Sequence, residues 1–395
     1  MDFLKRAKEI EEYYVNCRRY LHENAETGFD LPKTVEFVEK QLQELGYEPK
    51  RIGGGVTCVC GKGENTFMLR ADMDALPQKE VSGIPFASQN GSCHSCGHDM
   101  HTAMLLGAAK ILKENEDLLQ GKVKFMFQPA EELLEGAKSM ISAGILEDPK
   151  PDAAMALHVA TANPACPDGV EAGRMIYSRG TCLSSADAFE IRITGKEAHG
   201  STPEEAVSAL SVAANLVVAL QQMISLEIKS GRRAVMTVCE LTSGNTSNII
   251  PQEAILQGSI RTYENDVRDH IKRRLNEISQ GIGMLWRAHT EVRYMMEVGP
   301  TINDQNLTEE LLPYCAEIMN DMQETEPVGA SEDFSYVGLH IPTFYANIGA
   351  GFKGDNYPLH NSHVILDEKG MAYGVAVFCN CAVNWLKNHD RGGKL

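Results

Sequence analysis

Three apolar, strand-like segments of this chain run into residues that carry metal or acid–base chemistry. Residues 66–71 lead into Asp72-Met73-Asp74, and residues 122–128 lead into Pro129-Ala130-Glu131-Glu132. Residues 153–159 carry His158 next to their end. Helical patterns lie around them, so the segments read as strands of an α/β layer, whose active sites gather at the carboxyl ends of the strands. Aspartates two apart on an extended segment share a face. Adjacent side chains diverge, so Glu131 and Glu132 would divide the labour, one carboxylate on a metal and its neighbour on the metal's water.

Between the first and second of these strands stands Cys93-His94-Ser95-Cys96-Gly97-His98-Asp99-Met100-His101. It holds three of the twelve histidines and two of the eleven cysteines. A polar loop around residues 88–91 precedes it, and apolar residues at helical spacing follow over 102–112. Thiolate, imidazole and carboxylate at a loop-to-helix junction suit a first-row metal site. A surface loop with incidental histidines and a redox pair from Cys93 and Cys96 are the competing readings of this stretch.

The rest of the chain organises around these strands. Residues 3–22 and 34–45 read as helices, the second ending at Leu45-Gly46. Residues 56–60 and 66–71 read as strands around a turn at 61–65. From about Asp187 the order becomes β-α-β-β-α-β: strand 188–194, helix 203–227, strands 235–241 and 254–261, helix 265–281 and strand 290–297. That is the split, ferredoxin-like unit, expected as an inserted domain over residues 184–296. Residues 1–183 and 297–395 would form the catalytic α/β domain, with a central mixed sheet flanked by helices. After the insert, 307–322 reads as a helix, 331–335 as a loop, 343–348 as a strand, 355–361 as a turn-rich loop holding His360, and 368–386 as a helix.

Composition narrows the partners. A formal charge of −17 repels phosphate backbones and acidic lipid surfaces, so neither nucleic acid nor membrane is expected. No apolar run in the sequence approaches the ~20 residues of a membrane span, and the N-terminus enters a helical pattern without a leader-like segment. The odd number of scattered cysteines does not read as a disulfide framework, and the cytoplasm is the expected compartment.

The motifs together resemble the M20 family of metallopeptidases and amidohydrolases, in its N-acyl-amino-acid amidohydrolase subfamily, which includes hippurate hydrolase, auxin-conjugate hydrolases and N-acetyldiaminopimelate deacetylase. The matching stretches begin at Arg18-Arg19-Tyr20-Leu21-His22-Glu23 and include Arg70-Ala71-Asp72-Met73-Asp74, Cys96-Gly97-His98-Asp99 and Gln128-Pro129-Ala130-Glu131-Glu132. They continue through Leu157-His158-Val159, His199-Gly200-Ser201, Asn248-Ile249-Ile250-Pro251, Glu332-Asp333-Phe334-Ser335 and Leu359-His360-Asn361. The resemblance implies two divalent metal ions per chain, zinc, manganese, cobalt or nickel. Cys96 would bridge them as a thiolate, and His98, Glu132, His158 and His360 would complete the shell. It implies Glu131 as general acid/base and Asp74 as the group that orients the site. His199 would stabilise the oxyanion across a homodimer interface formed by the inserted lid domain, and Asn248 and Arg261 would hold the substrate carboxylate.

Some positions depart from the family pattern. Met100 stands where the subfamily often has glycine, Leu133-Leu134 replace a glycine-rich continuation, and Asn361-Ser362-His363-Val364 replaces the usual Asn-Pro-Arg/Lys-Phe. Ala206 follows in a stretch where an aspartate is common. None is an expected ligand, but such positions line the acyl pocket. The expected reaction is therefore hydrolysis of an N-acyl amino acid, with a dipeptidase or carboxypeptidase as the competing specificity. A thiol oxidoreductase on Cys93 and Cys96 leaves Glu131, Glu132, His158 and His360 unexplained. A non-catalytic binding protein would be expected to have lost a ligand or Glu131.

Overall fold

The computed structural model describes residues 1–354 and 356–389; Asp355, the first residue of the loop expected around His360, and 390–395 lie outside the described residues. The chain divides into two compact units. One comprises Met1–Cys182, Ile302–Glu326 and Asp333–Leu395; the other comprises Leu183–Thr301 and Pro327–Glu332.

The first unit opens with α1 (Phe3–Glu9), α2 (Glu11–Glu23) and α3 (Pro32–Glu44), followed by β1 (Lys50–Ile52), β2 (Gly55–Lys62) and β3 (Thr66–Asp72). Next come α4 (His98–Glu114), β4 (Gly121–Gln128), α5 (Gly136–Ser142), β5 (Ala153–Ala160), β6 (Arg174–Tyr177) and β7 (Thr181–Leu183). The second unit contains β8 (Ala186–Thr194), β9 (Ala198–His199), α6 (Ala209–Glu227), β10 (Ala234–Ser243) and β11 (Ile249–Ile250). It ends with β12 (Glu253–Thr262), α7 (Asn265–Leu285) and β13 (His289–Val298). The chain returns through β14 (Thr301–Ile302) to α8 (Gln305–Ala316), β15 (Asp321–Glu324), α9 (Ser335–Gly338), β16 (Thr343–Gly349) and α10 (Gly370–Asn388).

In the first unit eight strands form a mixed sheet in the order β1-β2-β4-β3-β5-β16-β6-β15. Its four middle strands, β4, β3, β5 and β16, are all parallel, so their carboxyl ends meet at one edge. Every residue of β3 is buried, as a central strand covered on both faces must be. Helix α4 packs on β3, α2 and α10 and is buried almost all round, which explains its run of Ala, Leu and Met.

Two sequence expectations needed correcting in this unit. The first helix is two, broken at Ile10. The two strands expected around the turn at 61–65 are present as β2 and β3, with β4 hydrogen-bonded between them. The helix expected over 307–322 stops at Ala316, and residues 321–324 instead pair in parallel with β6.

The second unit is a four-stranded antiparallel sheet, β10-β12-β8-β13, carrying α6 and α7. Alternate side chains of β8 and β12, among them Phe189, Ile191, Leu256 and Ile260, meet buried residues of both helices in one core. Helix α6 begins at Ala209 rather than 203, after a short 3₁₀ turn at Pro203–Glu205. By length and composition it is apolar enough to cross a bilayer, contrary to the sequence expectation. Its Val212, Ala213, Leu216, Leu220 and Met223 belong to this unit's core.

Candidate metal centre

The parallel strands deliver their ends to one place. Past the end of β3 stands Asp74; past β4 stand Glu131 and Glu132; near the end of β5 stands His158; the segment after β16 carries His360. The remaining donors come from the turn into α4. Gly97 adopts φ +89°, and a Cβ there would lie 2.3 Å from Val159 Cγ2. Only glycine lets the chain pass from Cys96 into the helix at this closeness, so that His98 begins α4 two residues after Cys96. Three further non-glycine residues around the site, Ala130, Leu134 and His360, have left-handed φ values of 52°, 56° and 65°. Strain of this kind persists only where surrounding structure over-determines it.

The expected ligands face one another. Cys96 Sγ lies 3.5 Å from His158 Nε2 and 3.2 Å from His360 Nε2. Glu132 Oε1 lies 3.4 Å from His360 Nε2 and 3.9 Å from His98 Nε2. Within 4.8 Å of one another stand the donor atoms of Cys96, His98 and His158, and likewise those of Cys96, Glu132 and His360. Cys96 belongs to both groups, so the donor set fits two ions.

The neighbours orient these donors as metal ligands require. His158 Nδ1 donates to the Val159 carbonyl at 2.7 Å, which leaves Nε2 with its lone pair. Asp74 accepts the backbone N–H groups of Glu131 and Glu132 at 2.9 and 3.2 Å, and its Oδ1 lies 3.6 Å from His98 Nδ1. One carboxylate thus holds both glutamates and faces the ring of His98.

Buried polar atoms left without a hydrogen bond identify what the site is built for. Both nitrogens of His98 and Oε1 of Glu132 are buried without a hydrogen-bond partner, a costly state for groups that no ligand engages. Burial works against charge on His98, but Asp72, Cys96 and Asp74 outweigh it and raise the imidazole well above its usual range. Burial pushes the Cys96 thiol up, and burial also raises Glu132 despite His98 and His360 nearby. These are the shifts of a dense donor cluster that a bound cation would relieve. Thiol, imidazole and carboxylate donors together suit divalent zinc, cobalt, nickel or manganese.

Glu131 is 6% exposed, and its Oε2 lies 3.9 Å from His98 Nε2. In the second unit His199 and Asn248 are brought together: β9 pairs with β11, and Gly200 N–H donates to the Asn248 carbonyl at 2.8 Å. Both side chains are exposed, and His199 Nδ1 lies 2.7 Å from Ser201 Oγ. Arg261 sits apart from them on β12, half-buried, donating to Ser331 Oγ at 2.7 Å and the Ser185 carbonyl at 3.3 Å.

Sequence reasoning left Asp72 and His101 without roles. Asp72 Oδ1 accepts from His101 Nδ1 at 2.6 Å, and His101 Nε2 accepts from Val159 N–H at 2.8 Å. Both ring nitrogens of His101 are therefore committed, and it serves as a strut between the ends of β3 and β5 rather than as a ligand. The i, i+3 spacing of His98 and His101 was the available signal, since it places both rings on one face of α4.

The family model described as peptidase family M20/M25/M40 matches residues 68–384. The chain is 36% identical over 389 residues to thermostable carboxypeptidase 2 of Saccharolobus solfataricus, covering 96% of each chain. It is 34% identical over 364 residues to N-acetyl-L-cysteine deacetylase of Bacillus subtilis, covering 91% of this chain and 85% of that one. The crystal structure of Bacillus subtilis YxeP, a dinuclear metal binding peptidase from the M20 family, superposes with a TM-score of 0.81 at 27% identity, covering 96% of this chain and 99% of that one.

Proposed function

This chain belongs to peptidase family M20/M25/M40 and is a metal-dependent amidohydrolase, and from that premise we propose that it hydrolyses the amide bond of N-acyl amino acids to a carboxylic acid and a free amino acid. The observation that carries the reading is the convergence of Cys96, His98, Glu132, His158 and His360 beside a separate carboxylate, Glu131. Those five residues would hold two divalent ions, with Cys96 shared between them.

When bound, such ions lower the pKa of water from 15.7 toward about 7 and polarise the amide carbonyl. The chain's own residues do the rest. Glu131 takes a proton from the attacking water as oxygen bonds to the acyl carbon, then returns it to the amine nitrogen as the C–N bond breaks. Asp74 keeps Glu131 in place through the backbone it accepts. His199, supplied by the partner chain of a homodimer, donates to the developing oxyanion, and Asn248 and Arg261 hold the substrate carboxylate. Nothing in this chemistry calls for nucleic acid or a membrane. The cytoplasm remains the proposed compartment, on the strength of the scattered cysteines.

A carboxypeptidase is the second reading, favoured by the 36% identity to thermostable carboxypeptidase 2. The two separate in one assay. The protein is reconstituted with zinc, manganese, cobalt or nickel and given acetyl, benzoyl and longer-acyl amino acids alongside dipeptides and longer peptides. Higher kcat/KM on the N-acyl amino acids supports the proposal, and a tenfold preference for peptides replaces it with the second reading. Arg261→Ala should cut kcat/KM strongly for free-acid substrates and little for the matching amides; equal losses would make Arg261 structural.

A further inference from the structure

Helix α2 carries a buried charged cluster that the proposed reaction does not use. Arg18 and His22 are 3% and 4% exposed. Arg18 Nε donates to Asp99 Oδ2 at 2.7 Å, and its Nη1 donates to Glu368 Oε1 at 3.0 Å. His22 faces a carboxylate with each nitrogen, Asp99 Oδ2 at 2.8 Å and Glu80 Oε1 at 3.0 Å. Burial opposes a charge on His22, yet Asp99 and Glu80 outweigh it, and Arg18 opposes them only in part, so the imidazole is raised to about 9. Arg19 adds two bonds to Glu368 at 3.0 and 2.6 Å. Phe86 covers the cluster, with the two guanidinium carbons 4.8 and 5.2 Å from its ring centroid and the His22 ring edge-on at 5.3 Å.

The partners of this cluster lie on the segments that carry candidate ligands. Asp99 follows His98 at the start of α4. Glu80 lies in the segment leading to Cys96 and also accepts Ser88 N–H at 2.8 Å. Two residues before it, Gln78 Oε1 accepts from Ser95 Oγ at 2.9 Å, and its Nε2 donates to the His360 carbonyl at 3.1 Å. The backbone N–H of His360 in turn donates to the Ser95 carbonyl at 2.9 Å. Glu368 closes the segment that begins at His360. A hydrophobic filler in place of such a buried ionic cluster is often neutral or stabilising, so the cluster is weak as a stability device. What it supplies is fixed geometry among three segments that share no regular secondary structure.

We propose that Arg18 and His22 are positioning residues that pre-assemble the metal centre, tying the segments of Cys96, His98 and His360 to helix α2. The inference rests on the reading of those three residues as ligands. It accounts for the Arg18-Arg19-Tyr20-Leu21-His22 motif, none of whose side chains enters the proposed chemistry.

The test uses cobalt(II) on the full chain stripped of metal. Bound ions are counted by elemental analysis, thiolate-to-cobalt absorption reports Cys96, and release into chelator gives a rate. Arg18→Lys keeps one charge but loses the fork, and His22→Gln keeps a donor to one carboxylate only. Both should remain folded by circular dichroism at the temperature of the titration, yet bind cobalt tenfold or more weakly and release it faster. Glu131→Gln should bind as the native chain does. If the native chain holds fewer than two ions, or shows no thiolate absorption that Cys96→Ala removes, the ligand reading fails. If it passes and both variants match its affinity within twofold, the positioning role is overturned. Should either variant fail to fold without metal, Glu368→Gln replaces it; a release rate equal to that of the native chain would overturn the proposal, and a faster one supports it.

Discussion

Glu131 and Glu132 are neighbours with different proposed tasks: each has an oxygen 3.9 Å from His98 Nε2, but of the two only Glu132 also stands in the group with Cys96 and His360. Glu132 Oε1 faces His360 and His98 without a hydrogen bond of its own, as a ligand would. Glu131→Gln should therefore retain both ions and bind substrate while kcat falls by ~10²-fold or more. Glu132→Gln should instead weaken metal affinity, and swapped outcomes in metal analysis and kinetics would reverse the assignment. His22 makes a separate prediction about stability. It is faced by Asp99, Glu80, Arg18, His94 and Phe86, and its folded value of about 9 lies above the ordinary 6.5. The sign follows from linkage: the folded chain binds its proton more tightly, so the contribution is complete below about pH 6.5 and lost as pH rises through about 9. It amounts to something on the order of 3 kcal/mol. His98 titrates in the same direction when no metal is bound, so the useful quantity is the difference between native protein and His22→Gln. Urea midpoints of the two metal-free proteins should converge as the pH rises from 6 to 10; a constant gap would show that His22 is neutral.

At the scale of elements, α4 is the member that joins the core to the chemistry. Its first residue is a candidate ligand, its second is held by α2, and its middle lies against α2 and α10. The crossing is close at Gly107, where a Cβ would meet Val375 Cγ2 at 2.8 Å and Tyr14 Cδ1 at 3.0 Å. Alanine would favour the helix by about 1 kcal/mol, while overpacking a core costs about 1–3 kcal/mol. Packing should win, and Gly107→Ala should lower unfolding stability by roughly 1 kcal/mol. A raised urea midpoint would mean that the helices can separate at no cost. Pairing between strands is not a local property, and that is why one helix reads too long in the sequence. Strands β2 and β3 are adjacent in sequence, yet β4 lies between them and pairs with both. Residues 321 and 322 end a helical pattern on paper and instead open a strand, because β6 offers an edge to pair with.

At the scale of the whole molecule, the proposed His199 role requires two chains. The second unit is a split β-α-β-β-α-β module that carries none of the five candidate ligands, and His199 stands exposed beside Asn248. Mixing His199→Ala chains with Glu131→Gln chains should then restore activity, up to about one working site per heterodimer. A fully active monomer, or no rescue after verified subunit exchange, would refute the arrangement.

What the sequence determined alone was the family and most of the order of the elements. Apolar runs mark the central strands, and a glycine between Cys96 and His98 marks a turn into a helix, because these are properties of neighbouring residues. The candidate ligands are named through the resemblance of their short motifs to the M20 family, while the residues alone point only to a metal-like stretch at 93–101 and to acidic and histidine residues at strand ends. The tertiary structure alone decided that β4, β3, β5 and β16 run parallel with their carboxyl ends together, which is what brings Glu132, His158 and His360 to Cys96. It alone decided that Asp72 and His101, 29 positions apart, form a strut, and that Arg18 and His22 reach Asp99 some eighty residues on. Such partners are chosen by packing between distant segments, and a buried charge shows its purpose only when the groups that neutralise it are in view.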